Sequence, residues 1–291
     1  MKPPKVIAEI GCNHKGDMKI AKEMISIAKA FCQADFVKFQ KRNNKELLPA
    51  DQYNAPHPVP SNSYGDTYGA HREYLEFSVD QHKELMEYCD ETGIGYSTSV
   101  WDVTSAREMA SLQPEFLKVP SASNLHFEML GVLCDEFEGK IQLSLGMTTQ
   151  KEEEEIVQFF EKKGRNKDLL LYACTSGYPV PAEQSALLEI TRLKQKFDDR
   201  VEAIGFSGHH LGIALDIAAY TLGAEWIERH YTLDRTWKGT DHAASLEPDG
   251  LRKLVRDLHV VADGLNYKSE ELLPIEIETR RKLKWTATES V

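Results

Sequence analysis

Short runs of apolar, β-branched and aromatic residues recur along the chain. Longer stretches separate them, with apolar positions three and four apart, the rhythm of strands and helices alternating around a parallel sheet. The predicted strands are Val6–Ile10, Phe36–Phe39, Ile94–Ser97, Phe116–Val119, Ile141–Leu145, Leu169–Ala173, Ala203–Phe206 and Glu225–Glu228. Helices are predicted between them over Asp17–Cys32, Asp80–Glu91, Val103–Leu112, Phe127–Phe137, Lys151–Lys163, Glu183–Phe197 and Gly212–Leu222, with Pro248–Ala262 after the last strand. Asp80 is read as the N-cap of its helix and Gly93 as its stop. Eight such repeats close a barrel, and no Pro/Gly/Ser linker divides the chain. The expected fold is therefore α/β, a single (β/α)8 TIM barrel over residues 1–265 with a long loop insertion after strand two, Arg42–Glu76. Four prolines punctuate that insertion, which reads as a lid or substrate loop. Residues 266–291 are expected to form a helical or extended tail.

Composition narrows the partners. Lys+Arg 35 against Asp+Glu 46 leaves a formal charge of −11, so neither nucleic acid nor an anionic membrane is an expected partner. Five scattered cysteines without a C-x-x-C pair suggest neither a disulfide framework nor a thiolate zinc site. A reducing compartment, and with no signal-peptide pattern a cytoplasmic location, is expected. Cys12 and Cys174 are read as packing residues, and Glu152–Glu155 as a solvated face at a helix start.

In a parallel barrel the chemistry collects at the C-terminal strand ends. Those positions here hold Glu9, Asn13, His14, Lys38, Gln40, Ser97, Thr98, Ser99, Lys118, Ser121, Ser123, Ser144, Thr175, Ser176, Tyr178, Ser207, His209, His210, Glu228, Arg229 and His230. Two lysines amid hydroxyls make an anion site suited to phosphate. His209 and His230 end adjacent strands, so both imidazoles can reach one divalent metal ion, with Glu9, Asp241 or water completing an oxygen-rich shell.

Four motifs carry a family resemblance: I-A-E-I-G-x-N-H-x-G from Ile7 to Gly16, V-K-F-Q at Val37–Gln40, S-G-H at Ser207–His209 and E-R-H at Glu228–His230. They resemble the sialic acid synthase family, which condenses phosphoenolpyruvate with an N-acylated hexose or its phosphate. The stretches T-Y-G-x-H from Thr67 and C-T-S-G-Y-P from Cys174 look closer to the animal-type members, which use the 6-phosphate of N-acetylmannosamine.

The resemblance implies that Lys38, Thr98, Lys118, Ser121, Ser144 and Ser207 hold phosphoenolpyruvate. It puts a divalent ion, Mn2+ first and Mg2+ or Co2+ as alternatives, on His209 and His230. Glu9, Gln40, Tyr178 and Asp241 match acceptor contacts, and Glu228 matches a residue that handles water or a proton. Ser176 stands where common bacterial members carry an Asn amide. Lys41, Arg42, Lys45 and Arg72 are candidates for a second phosphate site. The family suggests a homodimer whose small C-terminal antifreeze-like domain lends an arginine to the partner. The chain ends at Val291, so that domain is not expected here, and the insertion is a candidate to hold the acceptor instead. Two rival readings are a related keto-deoxy sugar acid synthase with another aldose acceptor, and an inactive sugar-binding barrel.

Overall fold

In a computed structural model describing residues 2–285, eight parallel strands close into a barrel in sequence order. They are β1 Lys5–Gly11, β2 Phe36–Lys41, β3 Gly95–Val100, β4 Phe116–Val119, β5 Lys140–Ser144, β6 Leu169–Cys174, β7 Ala203–Gly208 and β8 Trp226–His230. The register of β8 on β1 sets Trp226 beside Lys5 and His230 beside Glu9. Helix α1 (Met18–Ala30) follows β1, and the insertion after β2 carries α2 (Asn44–Leu47), α3 (Ala50–Asn54) and α4 (Tyr68–Tyr74). Around the barrel follow α5 (Val79–Thr92), α6 (Val103–Ala110), α7 (Phe127–Glu136), α8 (Gln150–Lys162), α9 (Leu188–Phe197), α10 (Ala214–Thr221) and α11 (Pro248–Gly264). A final helix, α12 (Pro274–Leu283), has no buried residue. The last part of the predicted tail, residues 286–291, lies outside the described residues.

The alternation of strand residues explains both cores. Outward positions such as Ile10, Phe39, Leu117, Leu143 and Phe206 pack under the helices. In α11, Leu251, Leu254, Val255 and Leu258 recur at helical spacing and are buried. Inward positions make a second cluster at the N-terminal end of the barrel: Ile7, Phe36, Phe116, Leu170, Tyr172 and Ala203, with Trp226 packed against it. Two residues further along β1, β2, β4 and β8 the inward side chains become ionic, Glu9, Lys38, Lys118 and Glu228, and they face an open cavity.

Several boundaries differ from the sequence reading. The N-cap of α5 is Ser78, not Asp80, because Ser78 and Gln81 form a reciprocal capping box. Gly93 does stop that helix in the left-handed conformation, at φ 76°. Helix α9 starts at Leu188 rather than Glu183, since Ala182–Gln184 form a short 3-10 turn and Ala186 has φ 47°. Strand β8 runs on to His230 instead of ending at Glu228. Glu152–Glu155 is not a plain solvated face: Glu152 closes a capping box with Thr149, and Glu153 is buried against Arg192. All five cysteines are free thiols. No helix among the described residues is long and apolar enough to cross a membrane.

Candidate active site

The ionic layer is the floor of the cavity. Glu9 on β1, Lys38 on β2, Lys118 on β4 and Glu228 on β8 all point inward, and each is at most 8% exposed. Charges so deep in a barrel persist only when paired, because desolvation costs several kcal/mol per ion. The pairing is complete. Lys38 Nζ lies 2.7 Å from Glu9 Oε1 and donates to Ser99 Oγ at 2.8 Å, with Glu228 Oε2 at 3.6 Å. Lys118 Nζ donates to both oxygens of Glu228, at 2.9 and 2.8 Å, and lies 3.9 Å from the centre of the Tyr172 ring. Ser207 Oγ donates to Glu228 Oε1 at 2.9 Å.

Burial pushes the Glu228 carboxyl up, yet Lys118, Lys38 and Ser207 outweigh burial and hold it well below the usual carboxylate range. It is a fixed anion at neutral pH. Burial pulls Lys118 down, with Glu228 opposing and Lys38 adding to the pull, whereas Glu228 and Glu9 together raise Lys38 above its ordinary value despite its burial. The two lysines are thus paired cations rather than free ones. Each ammonium has three donors, so an incoming oxyanion shares them with the glutamates.

Above this floor opens a cavity of about 440 Å³ at the C-terminal ends of the strands. It is lined by Glu9, Lys38, Gln40, Arg42, Arg72, Ser99, Lys118, Ser121, Ser144, Ser176, Tyr178, Ser207, His209, Glu228, His230 and Asp241, so sixteen sequence-chosen residues meet in one place. Thr98 does not. Strand alternation turns it outward with Tyr96 and Val100, where it is fully buried, and Ser99 lines the cavity instead. Among the candidates for a second phosphate site, Lys41 pairs with Glu108 at 3.3 Å, and neither it nor Lys45 lines the cavity. Arg42 is neutralised by Glu76, at 2.5 Å. Arg72 has no carboxylate within salt-bridge distance among the described residues; its guanidinium stacks 5.2 Å from the Tyr68 ring centre and 5.8 Å from that of Trp101. Burial and then Arg42 lower its affinity for the proton, the mark of a cation lacking a counter-ion.

The two histidines meet as expected. Their ring centres are 5.4 Å apart, and His230 Nε2 lies 3.6 Å from Glu9 Oε2. The Nδ1–H of His209 donates to the Thr175 carbonyl at 3.0 Å, and His230 Nδ1 is buried without a partner. Gly11, in the left-handed region at φ 54°, brings the chain close beneath: a Cβ there would lie 3.8 Å from Asp241 Oδ2 and 3.9 Å from His230 Cε1. An anchored imidazole and an orphaned buried nitrogen suit a divalent ion. Among the described residues no group of three or more His, Cys, Asp or Glu is drawn together to enclose one, so such a site would be open.

Cys174 is more than packing. It lines the cavity, and although burial raises its thiol, His209 overcomes that and lowers it. Cys12 stays a thiol, pushed up to about 11 by burial, and takes hydrogen bonds from Gln40 and from Arg42 Nη2. Sequence reasoning missed Trp101, Met147, Thr240 and the insertion's His57, Tyr68 and His71. The insertion has no strand or helix period that would have placed its side chains.

Fold and cavity together define a class: a (β/α)8 barrel with a charged, oxygen-rich cavity at the strand ends where barrel enzymes keep their active sites. The chain belongs to the NeuB family, which residues 24–270 match. It is 39% identical over 281 residues to the N-acetylneuraminate-9-phosphate synthase of Homo sapiens, covering 97% of this chain and 76% of that protein. It is 33% identical over 275 residues to the N,N'-diacetyllegionaminic acid synthase of Campylobacter jejuni, covering 93% and 81%. The solved N-acetylneuraminic acid (sialic acid) synthetase of Leptospira borgpetersenii, in complex with citrate, superposes with TM-score 0.80 at 30% identity, covering 98% of this chain and 94% of that one.

Proposed function

We propose that this chain condenses phosphoenolpyruvate with N-acetylmannosamine or its 6-phosphate to a nine-carbon 2-keto-3-deoxy acid, releasing phosphate by C–O cleavage. The observation that carries this reading is the convergence of Lys38 and Lys118 with His209 and His230 on one cavity. A donor bearing a phosphate and a carboxylate needs cations, and the acceptor aldehyde needs an electrophilic partner beside it.

In this reading Lys38, Lys118, Ser121, Ser144 and Ser207 orient the donor. The donor's C2=C3 π pair bonds C3 to the aldehyde carbon, the aldehyde's own π pair moves to its oxygen, which takes up a proton from solvent water, and positive charge develops at C2. Glu228 and Glu9 stabilise that charge by their own. Water adds at C2 and gives its proton to Glu9. Glu228 serves as a fixed counter-charge, since two lysines keep it from accepting one. The new C2 hydroxyl then closes to the ketone: its proton leaves with the phosphate as the C2–O bond to phosphate breaks and that bond's electron pair goes to the leaving phosphate oxygen. A divalent ion held by His209 and His230, Mn2+ in our reading, would supply Lewis-acid polarisation of the aldehyde. Gln40, Tyr178 and Asp241 face the acceptor.

Arg72 favours the phosphorylated acceptor, being the cavity's guanidinium without a carboxylate partner among the described residues. A homodimer and a cytoplasmic location go with this reading. Phosphate release from phosphoenolpyruvate, assayed with N-acetylmannosamine, its 6-phosphate and mannose 6-phosphate, tests the proposal. Turnover with the first two and loss of it in His209→Ala support it; release with none of the three overturns it.

A further inference from the structure

Outward positions of the strands are apolar almost everywhere, yet β8 places Arg229 there, between the inward Glu228 and His230. Arg229 is 1% exposed and among the largest fully buried side chains of the protein. Its guanidinium spans the turn that follows β7. Nη2 donates to the His210 carbonyl at 2.6 Å, and Nη1 to the Gly212 carbonyl at 2.8 Å and to Asp216 Oδ2. Asp216 stands in the first turn of α10, fully buried, and His210 Nε2 lies 3.3 Å from its Oδ2. One side chain, that of the residue immediately before His230, therefore holds the carbonyl of the residue immediately after His209.

Resting on the reading given under Proposed function, we infer that Arg229 and Asp216 are positioning residues that set the separation of the His209 and His230 imidazoles. Stability alone does not call for ions at this place, because well-packed apolar residues of similar volume replace buried pairs at little or no loss. The network is also imperfect as a stabiliser: Arg229 Nε, Asp216 Oδ1 and His210 Nδ1 are buried without partners. What an apolar pair cannot do is bond two carbonyls of the β7–α10 turn. Without those bonds, what fixes His209 beyond the Gly208–Arg229 ladder pair is its ring contact to the Thr175 carbonyl and the Val180 N–H on its own carbonyl, neither of which reaches β8. Lys38 and Lys118 are held by other groups, Glu9, Ser99 and Glu228, so donor binding stands apart from the clamp.

The test measures Mn2+ binding to the metal-free protein by calorimetry, beside steady-state kinetics, in Arg229→Lys and Asp216→Asn. Arg229→Lys keeps the charge facing Asp216 but lacks the fork that reaches both carbonyls. Mn2+ affinity and kcat should each fall about 10- to 100-fold, the usual cost of losing a group that orients a ligating histidine, with KM for phosphoenolpyruvate unchanged. Leu133→Ala on α7 should lower the melting temperature and leave Mn2+ affinity intact. Should both polar variants fail to fold, the double variant Arg229→Met/Asp216→Leu is expected to fold and to bind Mn2+ weakly. Wild-type Mn2+ affinity in any folded Arg229 or Asp216 variant overturns the clamp, as does an equal loss in Leu133→Ala. A wild-type protein that neither binds Mn2+ nor releases phosphate overturns the site reading as well, whereas a working wild type with indifferent variants defeats the clamp alone.

Discussion

The two ends of the barrel interior are built by the same strands two residues apart, yet their chemistry is opposite. At the N-terminal end Ile7, Phe36, Phe116 and Leu170 fill the space with interlocking apolar surface. One layer up, Glu9, Lys38, Lys118 and Glu228 fill it with charge. The lower layer contributes stability through burial and packing. The upper layer contributes little net stability, since desolvation offsets the attraction of its pairs, but it preorganises charge beside the cavity. Placing function and stability on successive layers lets each change without the other.

The sharpest way to break that comparison is to neutralise one member of the upper layer. Glu228→Gln leaves Lys38 and Lys118 sharing one carboxylate fewer, and turnover should fall on the order of 10² to 10³-fold. A variant that keeps wild-type phosphate release would sink the assignment. Phe116→Ala in the lower layer should do the converse. It should cost about 3–5 kcal/mol in urea unfolding while turnover per folded molecule stays within about twofold.

Smaller effects sharpen the picture. Arg72→Ala should weaken a phosphorylated acceptor by about 1.5–3 kcal/mol, read as a raised KM, with no change for the unphosphorylated sugar. Equal changes for both would move the second phosphate elsewhere. A different kind of effect is a pH slope in stability from the outer shell. Burial lowers His14 and His82 from 6.5 to about 3 in the folded protein. Above 6.5 both are neutral folded and unfolded; below it the unfolded chain takes up protons that the folded one refuses. Stability is therefore full above pH 6.5 and declines as the pH falls toward about 3. Urea midpoints at about pH 7 and about pH 4.5 should show that decline, and His82→Phe should flatten it.

Much of this was legible before any coordinates. Strand runs such as Leu169–Ala173 and helical spacing such as that of α11 carry their own periods, so the barrel and the rim residues followed from pattern. Thr98 shows the limit of that reading. Whether Thr98 or Ser99 faces inward depends on the pleat of β3, and adjacent hydroxyl residues give the period no contrast. The Ser78 cap was a second near miss, because Ser78, Asp80 and Gln81 all carry capping chemistry and only backbone geometry chooses among them.

By itself the order of residues determined that eight strand–helix units would close and that lysine, glutamate and histidine would crowd one rim, because local periodicity and strand polarity are properties of short segments. Tertiary structure alone decided the rest. It paired both lysines with glutamates, sorted Arg42 from Arg72 by giving Glu76 to one of them, and clamped the β7–α10 turn through Arg229. Those outcomes depend on distances between residues that lie on different elements, from 19 positions apart for His210 and Arg229 to 110 for Lys118 and Glu228, and no short segment of sequence contains such a distance.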